Sequence, residues 1–129
     1  MRRVFLFWLL ASSFVQGQTS ICIGEQLSVS SKVLGETRTI SVYLPDSYYD
    51  STLKKTNYPV VYLLDAETNF NYFTTLMEKL AQGIPNVPEM IVIGIENTQR
   101  ERDFGSDSDR FWQFMADELI PLVKKQYRC

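Results

Sequence analysis

The sequence of 129 residues contains no histidine. Histidine is the side chain whose ordinary pKa lies nearest neutral pH, and it is the usual proton shuttle of hydrolytic enzymes. These residues alone therefore cannot complete a Ser-His-Asp triad or a Cys-His pair. The six glycines never bracket a serine at the G-x-S-x-G spacing, so the strained serine turn of a nucleophile elbow is missing as well. We assign no catalytic side chain, no metal and no cofactor to this sequence.

Long apolar runs are scarce too, and the one that occurs stands at the amino terminus. After the basic start Arg2-Arg3, the segment Val4 to Val15 is apolar except for two serines, and Gly17 supplies a small residue for cleavage. This run is shorter than the roughly 20 residues that a membrane-spanning helix needs. The pattern predicts a signal peptide over 1–17 and a single domain over 18–129. We expect a secreted or periplasmic protein that has no membrane contact once the signal is removed.

Neither the charge nor the cysteines point to a particular partner. Thirteen basic and fifteen acidic residues give a net charge of -2, which argues against a nucleic-acid partner. The two cysteines are Cys22 and Cys129. In an oxidising compartment they can pair or stay free, and the sequence leaves both states open because pairing depends on their distance and orientation.

Alternating apolar residues predict two amino-terminal strands, at 27–33 and 37–44, joined through Gly35 as an antiparallel hairpin. The segments Val60–Leu64 and Met90–Ile95 are continuously apolar instead. Continuous runs suit strands covered on both faces, as in parallel sheets.

Helical spacing follows each of these two later strands. Phe70, Phe73, Met77 and Leu80 recur every three or four residues behind a cap at Thr68 or Asn69. A second apolar stripe runs through the segment 109–127, at Phe111, Met115, Leu119, Leu122 and Val123. We therefore predict an α/β fold, with an antiparallel hairpin followed by a parallel β-α-β-α unit whose crossover is right-handed.

The best candidate site is Asp65-Ala66-Glu67, just beyond the carboxyl end of the Val60–Leu64 strand. Open α/β sheets bind their ligands at such strand ends. A backbone N–H in this turn, with Ala66 the candidate, can hold a developing oxyanion. Asp65 and Glu67 are candidates for a substrate pocket. The plain alternative is an ordinary strand-to-helix turn.

Two weaker patterns are each explained equally well by structure. Three aspartates surround Gly105 and could supply oxygen ligands to calcium, but their spacing does not match a complete calcium loop. A helix-capping loop or a salt-bridge cluster with the nearby arginines explains them. The residues concerned are Asp103, Asp107 and Asp109, with Arg100, Arg102 and Arg110. Five tyrosines at 43, 48, 49, 58 and 62 could form an aromatic binding surface, although strand propensity accounts for them too.

Three strings of residues resemble a known family. They are Ser41-Val42-Tyr43-Leu44-Pro45-Asp46-Ser47-Tyr48, Tyr58-Pro59-Val60-Val61-Tyr62-Leu63-Leu64-Asp65, and Ile93-Gly94-Ile95-Glu96-Asn97-Thr98 with Arg100, Arg102 and Asp103. Together they resemble the "Putative esterase" family of α/β-hydrolases, which includes esterase D-like and enterobactin esterase-like enzymes. The segment Phe111 to Arg128 looks like the helix that precedes the nucleophile strand in that family.

The resemblance implies a partial α/β-hydrolase fold, corresponding to the amino-terminal half of a secreted serine esterase that acts on a small-molecule ester. It implies an oxyanion N–H near Ala66, where the family usually has glycine, and the sequence departs again at Gly105, where the family commonly continues with Thr-Pro. The match ends before the nucleophile strand, serine, acid and histidine, so we expect this chain alone to be inactive. The next strand of the family's sheet pairs with Val60–Leu64, and without it an apolar edge is open to pairing with another chain. The alternative is a secreted binding module, or a non-catalytic subunit completed by a partner.

Overall fold

A computed structural model describes residues 22–83 and 87–129 of the chain. The predicted signal peptide over 1–17 lies outside the described residues. The strands are β1 (Glu25–Ser31), β2 (Glu36–Tyr43), β3 (Val60–Leu64) and β4 (Ile91–Ile95). The helices are α1 (Ala66–Gly83), α2 (Ser108–Phe114) and α3 (Ile120–Gln126), with two short 3-10 turns at Asp46–Tyr49 and Ser51–Leu53.

The four strands form one mixed sheet in the order β1-β2-β4-β3. The pairs β1–β2 and β2–β4 are antiparallel, and β3–β4 is parallel. Gly35 turns the hairpin at a φ of 71°, and its N–H donates to the Ser31 carbonyl over 3.0 Å. The predicted α/β fold, with its hairpin followed by a parallel β-α-β-α unit, is confirmed.

β4 is the most deeply buried strand, because helices cover both of its faces. Its isoleucines at 91, 93 and 95 pack with Phe111, Phe114 and Leu119 of the carboxyl-terminal helical segment. On the other face, Val92 packs with Ala66 and Phe70 of α1. Every residue of β4 is buried.

β3 differs from β4 although both are continuously apolar in sequence. Its side chains contact both core clusters, yet all five residues are partly exposed. No strand among the described residues pairs with its outer side. The apolar run of β3 therefore indicates that both faces of the strand are covered, but it does not indicate that the strand lies at the edge of the sheet.

The carboxyl-terminal helical segment runs from Ser108 to Gln126 and contains a π-helical turn at Met115–Leu119. This wider turn ends two residues before Pro121, which has no N–H to continue the α-helical ladder. The predicted stripe is buried at Phe111, Met115, Leu119 and Val123, while Leu122 is only half-buried.

Glu118 fastens the π-helical turn to the hairpin. Its carboxylate accepts from the Ser31 hydroxyl, from the Lys32 N–H at 2.8 Å and from the Val33 N–H at 3.2 Å. The hydrogen bond from Ser31 is the main reason that the pKa of Glu118 is lowered. The helical segment is thereby held to the Ser31–Gly35 turn by hydrogen bonds as well as by apolar packing.

Two further observations concern the cysteines and the helices. Cys22 and Cys129 are both exposed and are not joined in a disulfide. Within the described ranges, no helix is both long enough and apolar enough to span a bilayer.

Candidate functional site at the carboxyl ends of strands β3 and β4

The turn after β3 places two peptide N–H groups at the start of α1. Thr68 and Asn69 donate their N–H groups to the Asp65 carbonyl, over 3.2 and 3.1 Å. Ala66 and Glu67 are the first two residues of α1, so their N–H groups have no acceptor within the helix itself. The first amides of an α-helix carry the positive end of its dipole, so these two groups favour a negatively charged oxygen.

Asp65 takes an unusual backbone conformation to make this turn. Its φ is 56°, which makes it the one residue other than glycine with a positive φ in the described part of the chain. This left-handed region is unfavourable for most side chains and is best tolerated by aspartate and asparagine. The turn reverses the chain sharply enough for helix α1 to begin at Ala66, two to three residues earlier than the predicted cap.

Ala66 fits at this position because of Gly94 on β4. A Cβ atom at Gly94 would lie 2.8 Å from the Ala66 Cβ and 2.7 Å from Cδ2 of Phe70. The missing side chain on β4 therefore lets α1 lie directly against the sheet. The methyl group of Ala66 is buried in that space, with only 4% of the residue exposed.

The loop after β4 holds the turn through Asn97. The side-chain amide of Asn97 donates to Oδ1 of Asp65 and, over 3.1 Å, to Oε1 of Glu67. The backbone N–H of Asn97 also donates to Oε2 of Glu67 at 3.1 Å. Arg100 adds an ion pair with Asp65 at 3.4 Å. Both carboxylates that flank Ala66 are thus bound to residues of the β4 loop.

The two pocket candidates have different surroundings. Glu67 and Ala66 line a cleft of about 420 Å³ that also includes Ser41 and Glu96. Asp65 does not line this cleft, because its carboxylate is turned toward Asn97 and Arg100. The structure therefore brings Glu67 to a cleft and gives Asp65 a role in the turn itself.

A buried ionic network lies behind the β4 loop. Arg38 of β2 is fully buried and pairs with Asp103, which is 1% exposed. Asp103 also accepts from Arg102, whose guanidinium makes a two-armed contact with Glu36 at 2.8 and 3.0 Å. Nε of Arg38 lies 2.7 Å from Glu36 but is poorly aligned for a hydrogen bond.

These contacts change the titration of the network. The hydrogen bond from Arg102 is the main cause that lowers the pKa of Glu36 to about 2. The same hydrogen bond raises the pKa of Arg102. Both groups therefore keep their charges across the neutral pH range.

Two of the three aspartates around Gly105 thus belong to ion pairs. Asp103 pairs with Arg38 and Arg102, and Asp107 pairs with Arg110 at 3.2 Å. The segment between β4 and α2 contains a π-helical turn at Arg102–Ser106, which carries Asp103 inward. Of the interpretations that the sequence left open, the salt-bridge cluster describes Asp103 and Asp107, whereas Asp109 forms no ion pair with the described residues and Arg100 pairs with Asp65.

The sheet with helices on both faces places the protein in the α/β class. The model of the family described as "Putative esterase" matches residues 31–129. The chain belongs to this family.

Solved structures agree with this assignment. An IroE-like serine hydrolase from Shewanella oneidensis is 33% identical, with a TM-score of 0.73 over 81% of this chain and 39% of that one. The BES protein from Bacillus cereus is 22% identical, with a TM-score of 0.71 over 90% of this chain and 51% of that one. The enterobactin esterase FES from Shigella flexneri is 18% identical, with a TM-score of 0.67 over 81% and 27%. The last two likenesses establish the fold alone. No curated protein sequence matches the chain.

The chain spans 39% of the length of the Shewanella hydrolase. The fold is therefore a partial one relative to this neighbour. The match to the family model confirms the resemblance to an esterase family. Sequence reasoning located Asp65, Ala66 and Glu67 but missed Asn97 and Arg38. Arg38 did leave a signal, since it shares the alternation of Ile40 and Val42 and so had to point into the core.

Proposed function

We propose that this chain supplies the oxyanion-stabilising half of an exported carboxylic-ester hydrolase. The observation that carries the proposal is the pair of peptide N–H groups at the amino-terminal end of α1, at Ala66 and Glu67, where β3 meets α1 in a member of an esterase family. Ester hydrolysis through a serine passes through a tetrahedral intermediate whose former carbonyl oxygen is negatively charged. N–H donors fixed before the reaction stabilise that charge with little reorganisation.

The remaining catalytic groups must come from residues outside this sequence. The 129 residues contain neither histidine nor a G-x-S-x-G turn, so nothing in them activates a serine. We therefore propose that the chain alone does not hydrolyse esters. Its contribution is the N–H of Ala66, supported by the dipole of an 18-residue helix, and a cleft wall at Glu67.

The substrate class that we propose is a small-molecule ester. The IroE-like hydrolase and the enterobactin esterase among the solved neighbours are consistent with it. The pattern at residues 1–17 supports export, and we place the working protein outside the cell or in the periplasm.

A second candidate follows from the outer edge of β3. Its apolar residues are partly exposed, and an open strand edge is a template for pairing. The chain would then act as a non-catalytic subunit or binding module, whose sheet is completed by a strand from a partner.

The first experiment sequences the source DNA and transcript across codon 129 and reads on for several hundred bases. An in-frame or frameshifted continuation with a G-x-S-x-G turn and a histidine supports the esterase. A stop codon with no such continuation overturns it and favours the partner-completed subunit.

The second experiment expresses the longest encoded polypeptide and measures hydrolysis of p-nitrophenyl esters. Ala66→Pro removes the N–H at the first position of α1, where helices tolerate proline, and we expect kcat to fall about 100-fold. Ala66→Gly keeps the N–H and serves as the control, with kcat near that of the unchanged protein. Equal kcat values for the two variants would remove Ala66 from the mechanism.

A further inference from the structure

We infer that Asn97 is a positioning residue that holds the peptide N–H of Ala66 in the direction an oxyanion requires. This inference rests on the proposed function and adds a residue to it that does not touch the substrate oxygen. The geometry that supports it is a clasp, formed by Asn97 with the two carboxylates on either side of Ala66.

The clasp uses three donor contacts from one residue. The side-chain amide reaches both Asp65 and Glu67, and the backbone N–H reaches Glu67 again. Hydrogen bonds to ionised acceptors are among the stronger ones in proteins. Because the acceptors precede and follow Ala66 directly, rotation of the Ala66 peptide plane would break at least one of these contacts.

The turn needs such support because Asp65 is in the left-handed region. A residue other than glycine stays in that conformation when several contacts with its surroundings stabilise it. Here the Asp65 carboxylate is bound by Asn97 and by Arg100, while its carbonyl accepts from the first turn of α1. Without Asn97, the Asp65 carboxylate would keep only its ion pair with Arg100. That ion pair is weak, because the Arg100 side chain is 64% exposed.

Asn97 can hold the turn because its own neighbours are fixed to β2. Glu96 donates its N–H to the Thr39 carbonyl at 3.2 Å, and the Thr98 hydroxyl donates to Glu36 at 2.9 Å. Glu36 in turn belongs to the ionic network. The peptide direction at Ala66 is therefore coupled, through Asn97 and Thr98, to a rigid part of the sheet.

The direct test is backbone NMR relaxation on the 129-residue chain and its variants. In the unchanged chain we expect an order parameter near the rigid value of about 0.85 for the Ala66 amide. In Asn97→Ala we expect it to fall toward the flexible range, below about 0.6, with a changed HN–Hα coupling at Asp65. Asn97→Asp keeps the size of the side chain but removes its donor, so it should behave as Asn97→Ala does.

Asn71→Ala is the matched control. Asn71 lines the same cleft, and its side chain makes no hydrogen bond with the described residues. We expect the control to leave the Ala66 amide rigid. An unchanged amide and coupling in both Asn97 variants would overturn the inference.

Kinetics on the longest encoded polypeptide separate positioning from mere folding. Both Asn97 variants should lower kcat at least 10-fold while KM changes less than twofold, because the lost interaction acts on the transition state. A normal kcat in these variants, beside a 100-fold loss in Ala66→Pro, overturns the positioning role and leaves the proposed function intact. No loss in Ala66→Pro overturns the proposed function, and the NMR result then decides only whether Asn97 fixes the turn.

Discussion

Replacing Asp103 by asparagine tests the buried ionic network directly. The substitution keeps the shape of the side chain and removes its charge. Arg38 then remains fully buried with its closest carboxylate gone. We expect the folded state to lose stability, because water cannot reach the guanidinium to replace the missing partner.

The structure sets the size of this loss. Removing one partner of a buried ion pair costs about 3–5 kcal/mol. Glu36 stays 2.7 Å from Nε of Arg38, and Arg102 is 25% exposed and can be solvated, so the low end applies. A loss of about 3 kcal/mol is a large part of the 5–15 kcal/mol that stabilises a typical domain. For a chain of this size it corresponds to a melting temperature lower by roughly 12 °C.

Urea unfolding at pH 7, followed by far-UV circular dichroism, measures the effect. Asp107→Asn is the matched control, since its pair with Arg110 lies in solvent and contributes less than about 1 kcal/mol. The double replacement Arg38→Met with Asp103→Leu should recover most of the loss, because an apolar pair leaves no buried charge. If the free energy of unfolding of Asp103→Asn lies within about 1 kcal/mol of that of the control Asp107→Asn, then the buried charge of Arg38 does not depend on Asp103 and the reasoning is wrong.

Two further perturbations test other parts of the site. Gly94→Ala places a methyl group 2.7 Å from Phe70, so overpacking should lower the unfolding free energy by about 1–3 kcal/mol, and an unchanged urea midpoint would contradict the packing of α1 on β4. Glu36→Gln should destabilise the protein at pH 6, and its deficit should shrink as the pH falls from 4.5 to about 2. The folded-state pKa is the lower one, so the contribution of Glu36 is complete above the unfolded value and is lost on acidification. Urea midpoints at pH 6, 4 and 2.5 measure this trend, and a deficit that is independent of pH would mean that the pair with Arg102 contributes nothing.

The sequence predicted the elements of the fold well, because each rests on local periodicity. Alternation located the hairpin, continuous apolar runs located β3 and β4, and helical spacing located α1 and the carboxyl-terminal segment. The same patterns could not give the sheet order, since the pairing of β2 with β4 joins segments about fifty residues apart. They also could not show that β3 lies at an edge of the sheet. An apolar sequence indicates that the faces of a strand are covered, but it does not indicate whether a second strand pairs with it.

The site could be predicted only in part, and the reason is the same. The turn at Asp65, Ala66 and Glu67 could be predicted because a turn after a buried strand is a local feature, and the role of these residues stays a prediction. Asn97 was missed, because its hydrogen bonds go to two carboxylates 30 and 32 residues earlier in the chain.

The buried position of Arg38 depends on a partner that is distant in sequence. An arginine between Thr37 and Thr39 on a strand has the pattern of an exposed position, but the alternation with Ile40 points it into the core. A buried arginine requires an acidic partner, and the sequence around it offers only Glu36. The second partner, Asp103, is brought inward by the π-helical turn at Arg102–Ser106, which the sequence pattern did not predict.

Ala66 and Gly94 fit together where helix α1 begins against strand β4. Glycine at the position of Ala66 would give the turn conformational freedom, whereas alanine adds a methyl group against the sheet. That methyl group needs a space on β4, and Gly94 supplies it by lacking a Cβ. Alanine at position 66 therefore requires glycine at position 94, because a side chain at 94 would clash with the methyl group. Alanine, unlike proline, keeps a backbone N–H at position 66, which the proposed oxyanion role requires.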